Sequence, residues 1–372
     1  MTKKKKIAVG MSGGVDSSVA ALLLRDQGYD ITGVFMKNWT KSKISPYCSE
    51  EADRKDAVRV ATQLGIPFEV WDFEEEYRQR VMDIFFAEYA AGRTPNPDIL
   101  CNKEIKFGLF LQRALAEGYD AVATGHYARV RHDADGSHLL QGLDSNKDQS
   151  YFLMSLDQRS LPYAFFPIGE YTKPEVRKMA REAGLRTAEK KDSQGICFVG
   201  PVNIAEFLQT RLHKQPGEVI TPEGKVIGQH QGSIFATIGQ REGLGVSGTG
   251  IPYYVAVKDT EHNRLIAVQG NKHPLLYSTW LSMIEPSWTM REPEFPYHCQ
   301  ARIRYRQPAQ DCVIEKQDGH LRVSFTTAQR AVTPGQFIVF YQGDELIGGG
   351  IIEASEAMAE LAQMPIWQAK TR

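Results

Sequence analysis

Nine residues near the amino terminus, Gly10-Met11-Ser12-Gly13-Gly14-Val15-Asp16-Ser17-Ser18, set three glycines and three serines around one acid. Gly10, Gly13 and Gly14 let a backbone turn sharply and lie close to a ligand. Ser12, Ser17, Ser18 and the free N–H groups at a helix start offer hydrogen bonds to phosphate oxygens. Asp16 fits poorly against phosphate unless a divalent cation stands between them, so Mg2+ is expected beside it. The string lacks the Gly-Lys-Ser/Thr ending of the common nucleoside-triphosphatase loop.

Two cysteine segments stand out next. In Asn96-Pro97-Asp98-Ile99-Leu100-Cys101-Asn102, the prolines at 95 and 97 stiffen the approach, so Asp98 and Cys101 are expected in a defined loop. A helix from Lys103 to Glu117 would follow, and its N–H groups with Lys103 or Lys106 would favour a thiolate at Cys101. In Ser193-Gln194-Gly195-Ile196-Cys197-Phe198, Lys190-Lys191 lies upstream as a source of positive potential. A buried small hydrophobe is the plain alternative for either cysteine. The spacings of Cys48, Cys101 and Cys197 carry no zinc signature.

Strands and helices alternate through the first two hundred residues and would position these groups. Ile7 to Val9 is a β-branched run, and Val15, Val19, Leu22 and Leu23 recur at helical spacing until Gln27-Gly28. Strands are expected at 31–36, 68–71 and 120–125, and helices at about 51–64, 74–90, 106–117 and 174–182. Units of this length make a parallel sheet with helices on both faces, which binds ligands at its carboxyl ends. The loops after Val9, Met36 and Thr124 should therefore converge, and Gly125-His126-Tyr127 should face a nucleotide. Past Cys197, short apolar runs such as 232–235, 243–246, 253–257 and 265–268 read as strands of a small middle domain. From about Leu275 the strand-sized pieces suggest a closed or nearly closed β-barrel. The expected fold is α/β, with domains at 1–203, 204–274 and 275–363. Arg302, Arg304 and Arg306 alternate with Ile303 and Tyr305, which would put three guanidinium groups on one strand face, suited to a phosphate backbone.

Composition bounds the partners. The chain has 372 residues, with 44 Lys plus Arg against 45 Asp plus Glu, so no overall field draws it onto a polyanion. Nucleic-acid binding would have to come from local patches. Ile7-Ala8-Val9-Gly10 is too short for a signal-peptide core, and no run is long enough to span a membrane. Five widely spaced cysteines fit a reducing cytoplasm without structural disulfides.

The whole chain resembles the bacterial tRNA-specific 2-thiouridylases. The resemblance is carried by Gly10 to Ser18, by Asn96-Pro97-Asp98 with Cys101, and by Gly125-His126-Tyr127-Ala128-Arg129. Lys147-Asp148-Gln149-Ser150-Tyr151-Phe152-Leu153 and Ser193-Gln194-Gly195-Ile196-Cys197-Phe198 complete it. It implies an adenine nucleotide alpha hydrolase-like first domain and a pyrophosphatase-type loop, Gly10, Met11, Ser12, Gly13, Gly14, Val15, Asp16 and Ser17, which splits ATP into AMP and pyrophosphate. Met36 and Gly125 would be further nucleotide contacts. The implied substrate is tRNA with uridine at position 34, in the tRNAs for lysine, glutamate and glutamine. Asn96, Pro97 and Asp98 would meet the target base, and His126, Lys147, Asp148, Gln149, Arg304, Tyr305 and Gln342 other parts of the tRNA. Cys197 would take sulfur as a persulfide from a donor protein, either a cysteine desulfurase or the last member of a relay. Cys101 would resolve the persulfide, Asp98 would act as acid or base, and a cellular reductant would reopen the resulting disulfide. Attack by the persulfide and attack by released sulfide both remain open. Two rivals lack a use for part of this set. An amide-forming synthetase needs the phosphate loop without the cysteines, and an RNA-binding module needs neither.

Overall fold

The computed structural model describes residues 4–39, 50–192, 203–246, 250–317 and 319–364. Cys48 and Cys197 lie outside the described residues.

Four strands, β1 (Lys6–Gly10), β2 (Asp30–Lys37), β3 (Phe68–Asp72) and β4 (Ala121–Ala123), form a parallel sheet, and a hairpin of β5 (Ala128–Asp133) and β6 (Gly136–Gln141) leaves it. The chain returns as β7 (Ala164–Phe165), giving the order β3-β2-β1-β4-β7. The order reverses direction between β1 and β4, so a crevice opens beyond their carboxyl ends. Helix α1 (Val15–Asp26) buries Val15, Val19 and Leu22 on one side of the sheet, and α2 (Glu50–Leu64) buries Ala57, Val60 and Leu64 beside it. The opposite face packs against a second cluster that includes Met36, Trp71, Cys101, Phe107 and Phe110.

The Cys101 region departs from the expected loop. Helical backbone runs continuously over 97–116, α-helical at Pro97–Leu100, wound one residue wider across Cys101–Phe110, and α-helical again at Leu111–Ala116. The reason is the cap: Asn96 Oδ1 accepts from Asp98 N at 3.1 Å and Ile99 N at 3.3 Å, and Pro97 fills the first turn, where its missing donor costs nothing. Asp98 and Cys101 therefore project from helix rather than loop.

The middle unit is a four-stranded sheet, β8 (Gly217–Ile220), β9 (Val226–His230), β10 (Tyr253–Asp259) and β11 (Arg264–Gln269), ordered β10-β11-β8-β9. Two expected strands are absent from it. Ser233–Phe235 is a short 3-10 turn, and of 243–246 only Val246 bridges, to Gly228. Gly232, Gly243 and Gly245 all have positive φ, which breaks the pleat.

Six further strands are β12 (Tyr277–Trp288), β13 (Tyr297–Arg302), β14 (Gln310–Gln317), β15 (His320–Arg330), β16 (Phe337–Gln342) and β17 (Glu345–Ser355). They close into a barrel because β12 pairs with both β15 and β17. The hairpin β5–β6 extends this sheet, with Glu345 opposite Leu140 and Leu346 opposite Leu139. The nucleotide-type sheet and the barrel are thus sewn together by a segment from the first half of the chain. No helix among the described residues is long and apolar enough to cross a membrane.

Candidate active site

The phosphate-type loop begins where β1 ends. Met11 N donates to Val34 O at 2.8 Å, which continues the β1–β2 ladder one residue into the turn. The side chains of Met11 and Val15 are buried, so their contribution to a ligand is backbone. Gly13 takes φ +73° and lies so close to the Asp53 carbonyl of α2 that a Cβ would collide with it. Helix α1 has Gly14 as its cap and no side-chain cap hydrogen bond, so its first turn gets no capping side chain and is of the kind that suits an anion. Ser12 N and Ser12 Oγ both meet Ser17 Oγ, at 3.2 and 3.3 Å, and fix the loop on the helix. Ser18 is a correction to the expected donor set. It is fully buried, donates to Gly14 O at 2.7 Å and accepts from Thr187 Oγ1 at 3.1 Å, so it faces away from any phosphate.

The turn after β1 meets the end of β2 and the loop after β4, while most of the loop expected after Met36 lies outside the described residues. A Cβ on Gly10 would stand 3.0 Å from Met36 Cε and 3.8 Å from Phe110 Cε1, so the loop, β2 and the Cys101 helix meet at that point. A Cβ on Gly125 would stand 2.6 Å from Ser17 N and 2.7 Å from the carbonyl carbon of Asp16. Only glycine lets the strand-β4 loop approach α1 this closely. Cys101 is fully buried within the cluster that holds Met36 and Phe110. The ammonium of Lys106, the residue expected to favour its thiolate, lies 3.4 Å from His126 Nε2. His126 Nδ1 lies 2.7 Å from Thr124 Oγ1, and burial, with Lys106 adding to it, holds the ring well below its usual pKa and therefore neutral.

Asp16 is not left waiting for a metal. Its carboxylate accepts from Lys173 Nζ at 2.7 and 2.8 Å and from Tyr127 Oη at 2.9 Å. Lys173 also reaches Asp192 at 2.8 Å, and Arg177 and Lys147 meet Asp192 at 2.9 and 2.5 Å. Burial pushes the Asp192 carboxyl up, but its bonds to Lys147 and Lys173 outweigh that and hold it down at about 2. Lys190, expected to serve Cys197, binds Gly13 O, Asp53 and Asp56, at 3.0, 2.7 and 2.7 Å. Sequence reasoning missed Lys173, Arg177 and Asp192. One signal was present: a lysine in the first turn of a helix, Lys173–Glu182, sits where the macrodipole disfavours a cation, so a partner had to exist elsewhere.

The residues expected at the RNA fall into two linked groups. Gln149 Oε1 accepts from Tyr127 N at 3.0 Å, which ties the 147–149 segment to the loop carrying His126. Asp148 is buried, and its carboxylate accepts from Gly142 N, Ser150 N and Arg302, at 3.1, 3.1 and 2.9 Å. It holds Lys147 and Gln149 in place and has no face toward solvent. The arginine stripe is a correction. Strand β13 stops at Arg302, Ile303 turns inward, and Arg306 adopts φ +64°, so the three guanidinium groups do not share a strand face. Arg302 packs over Tyr341 and pairs with Asp148, Arg304 donates to Ala331 O, and Arg306 is exposed. Tyr305 stacks at a tilt on Phe152, centroids 4.5 Å apart, and Gln342 ends β16 exposed. The 331–336 turn that receives Arg304 also supports the approach to Asn96: Thr94 N donates to Pro334 O at 2.9 Å, and Gln336 donates to Thr94 O at 2.8 Å.

Comparison with known proteins agrees with this architecture. Family models described as the tRNA methyl transferase HUP domain, the tRNA methyl transferase PRC-barrel domain and the aminomethyltransferase beta-barrel domain match residues 5–201, 205–269 and 278–352. The tRNA-specific 2-thiouridylase MnmA of Marinobacter nauticus is 52% identical over 94% of this chain and 91% of its own length. The Shouchella clausii protein of the same name is 52% identical over 94% and 96%. Among solved structures, NMN synthetase from Francisella tularensis aligns at 15% identity over 52% of this chain and 67% of that one, with a TM-score of 0.32, a distant likeness. On the strength of these full-length identities, the chain belongs to the tRNA-specific 2-thiouridylase family.

Proposed function

We propose that the chain is an ATP-dependent tRNA-uridine 2-sulfurtransferase acting on uridine 34 of the tRNAs for lysine, glutamate and glutamine. The C2 oxygen of the uridine attacks the α-phosphorus of ATP, pyrophosphate leaves, and the oxygen, now esterified to AMP, becomes a leaving group. The terminal sulfur of a persulfide on Cys197 attacks C2 and AMP departs with the oxygen. The Cys101 thiolate then takes the Cys197 sulfur, the S–S bond breaks, and sulfur stays on the base as 2-thiouridine. In the alternative order, Cys101 attacks first and the freed sulfide adds to C2. Either order ends in a Cys101–Cys197 disulfide, which two electrons from a cellular reductant reopen. The sulfur itself comes from a donor protein, a cysteine desulfurase or a relay protein.

The observation that carries this reading is the meeting of Gly10, Met36 and Phe110, which puts the phosphate-type loop and the Cys101 helix on one crevice. Gly10 to Ser17 would cradle the phosphates, while Met36 and Gly125 would flank adenosine. Asn96, Pro97 and Asp98 would receive the target base, with Asp98 moving its proton. A loop base is cheap to extract because little pairing is lost. His126, Lys147, Gln149, Arg304, Tyr305 and Gln342 would hold the surrounding RNA, with Asp148 acting through its neighbours. Functional units at 1–203, 204–274 and 275–363 follow from the same reading.

Mg2+ would arrive with ATP. Among the described residues no three metal-ligating side chains converge, and Asp16 already has Lys173 as its counter-charge. Mg2+ would supply charge neutralisation to the phosphates, and Asp16, the one acid of the loop, would be its nearest candidate ligand.

The test is incubation of the purified chain with ATP, Mg2+, a persulfide donor and unmodified tRNA. AMP, pyrophosphate and 2-thiouridine are expected, the last by mass spectrometry of the nucleosides. That measurement also separates a thiolated from a methylated base. ADP and inorganic phosphate as the products would overturn the reading.

A further inference from the structure

Asn38 follows the last residue of β2, at the carboxyl edge of the sheet and two residues beyond Met36. It is 1% exposed, yet neither Nδ2 nor Oδ1 has a hydrogen-bond partner among the described residues. A buried carboxamide with both ends unpaired is destabilising to the free protein and calls for a reason. Its neighbours are pinned, so Asn38 is not a loosely held side chain. Lys37 O accepts from Phe73 N at 2.8 Å, Lys37 Nζ pairs with Asp72 and Glu74 at 2.8 and 3.0 Å, and Trp39 packs edge-on against Tyr77 and Phe207. Asn102, beside Cys101, makes a useful contrast. Its Oδ1 is also unpaired, but its Nδ2 donates to Phe152 O at 2.9 Å, so one end has a structural task. Asn38 has none.

We infer that the Asn38 carboxamide hydrogen-bonds the edge of a nucleobase bound in the crevice between β2, the phosphate-type loop and the Cys101 helix. The inference rests on the ATP- and tRNA-dependent reading above. A carboxamide offers one acceptor and one double donor side by side, which matches a base edge presenting an N–H next to a ring nitrogen or carbonyl. A phosphate, which only accepts, would leave Oδ1 unpaired, and in the functional reading above the phosphates belong to the loop. Two bases share this chemistry at such a site, the adenine of ATP and the target uracil.

Asn38→Leu keeps most of the volume and removes both polar atoms, and Asn38→Asp keeps the shape but replaces the donor with a charge. Two binding arms separate the sources: titration calorimetry of ATP with the free protein, and the KM for unmodified tRNA at saturating ATP. The melting temperature of Asn38→Leu is expected to match or exceed that of the wild type, because the unpaired atoms are gone. Kd for ATP raised about tenfold or more in both variants assigns the adenine. An unchanged Kd with KM for tRNA raised to that extent assigns the uracil. Unchanged constants in both arms, with wild-type protein making 2-thiouridine, overturn the inference, as does a lower melting temperature with unchanged constants. A wild-type protein that binds ATP but thiolates nothing overturns the functional reading instead, and the ATP arm still decides Asn38.

Discussion

Lys173 donates to both oxygens of the Asp16 carboxylate although 157 residues separate them. The pair places a buried ammonium at the start of α1, beside the loop in which pyrophosphate is proposed to develop negative charge. Lys173→Met should lower tRNA-dependent AMP release on the order of 10²-fold, the usual loss when one electrostatic donor is removed from such a site. Binding of tRNA should persist, and Lys173→Arg should recover part of the rate. A rate that does not change in Lys173→Met would leave Lys173 as a strut between Asp16 and Asp192.

The cysteines should separate by stage. Cys197→Ser should lose 2-thiouridine formation and keep tRNA binding, whereas Cys101→Ser should accumulate protein persulfide that cannot complete a turnover. The burial of Cys101 adds a second expectation: alkylation of that thiol in the free protein should be slow, since a wholly enclosed sulfur is inert to reagents. Peptide mass spectrometry follows both. Normal thiolation by either serine variant would remove the two-cysteine scheme.

Gly125 tests how tightly the β4 loop sits on α1. In Gly125→Ala the added methyl meets backbone atoms of Ser17 and Asp16, at 2.6 and 2.7 Å, and backbone cannot rotate aside. An overpacking cost of about 1–3 kcal/mol is expected, with a lower melting temperature and weaker ATP binding together. A variant with wild-type stability and ATP affinity would mean that the loop and the helix separate freely.

Much of this site could be read from local pattern, and the failures have a common cause. The glycine loop, α1 and the strands on either side announce themselves because Gly10, Gly13, Val15 and Val19 act within one strand–turn–helix unit. Lys173 escaped because Asp16 is 157 residues away, and Asp192 because its partners Lys147, Lys173 and Arg177 meet it only once the chain has folded back. The hairpin β5–β6 left no local signal of its link to the barrel, because Leu139 and Leu140 find their ladder at Leu346 and Glu345, some two hundred residues on. Alternation alone also misread the arginines. Period two holds only while a strand continues, and the chain leaves β13 at Arg302, where the Asp148 carboxylate captures the guanidinium.

Arg304 offers a test of the barrel's share in RNA binding. Its guanidinium is mostly buried on Ala331 O, and burial lowers its pKa from the ordinary arginine value, with Arg330 acting in the same direction. If the remaining edge meets a phosphate, Arg304→Ala should weaken tRNA binding and reduce the slope of log K against log salt by about 0.7–0.9. The 331–336 turn also steadies Thr94 and Pro95, so thermal stability should be measured alongside. Loss of stability with the salt slope intact would reassign Arg304 to support of the approach to Asn96.

The junction between hairpin and barrel should respond to pH through His138. Its Nδ1 lies 2.7 Å from Glu345 Oε1 and its Nε2 lies 3.0 Å from Asp133 Oδ1. The bond to Glu345 raises the ring's pKa above its ordinary 6.5, burial opposes that, and Asp133 adds to the rise. A folded value above the unfolded one means that the folded chain holds the proton more tightly. The stabilisation is therefore complete below pH 6.5 and disappears as pH rises through the folded value. As pH rises from 6.5 through the folded value, wild-type protein should lose stability relative to His138→Gln, which carries no such proton. Hydrogen exchange at Leu139 and Leu140 should speed up over the same interval, because those residues form the ladder to β17. Parallel pH profiles for the two proteins would show that the junction is held by the ladder and its apolar contacts alone.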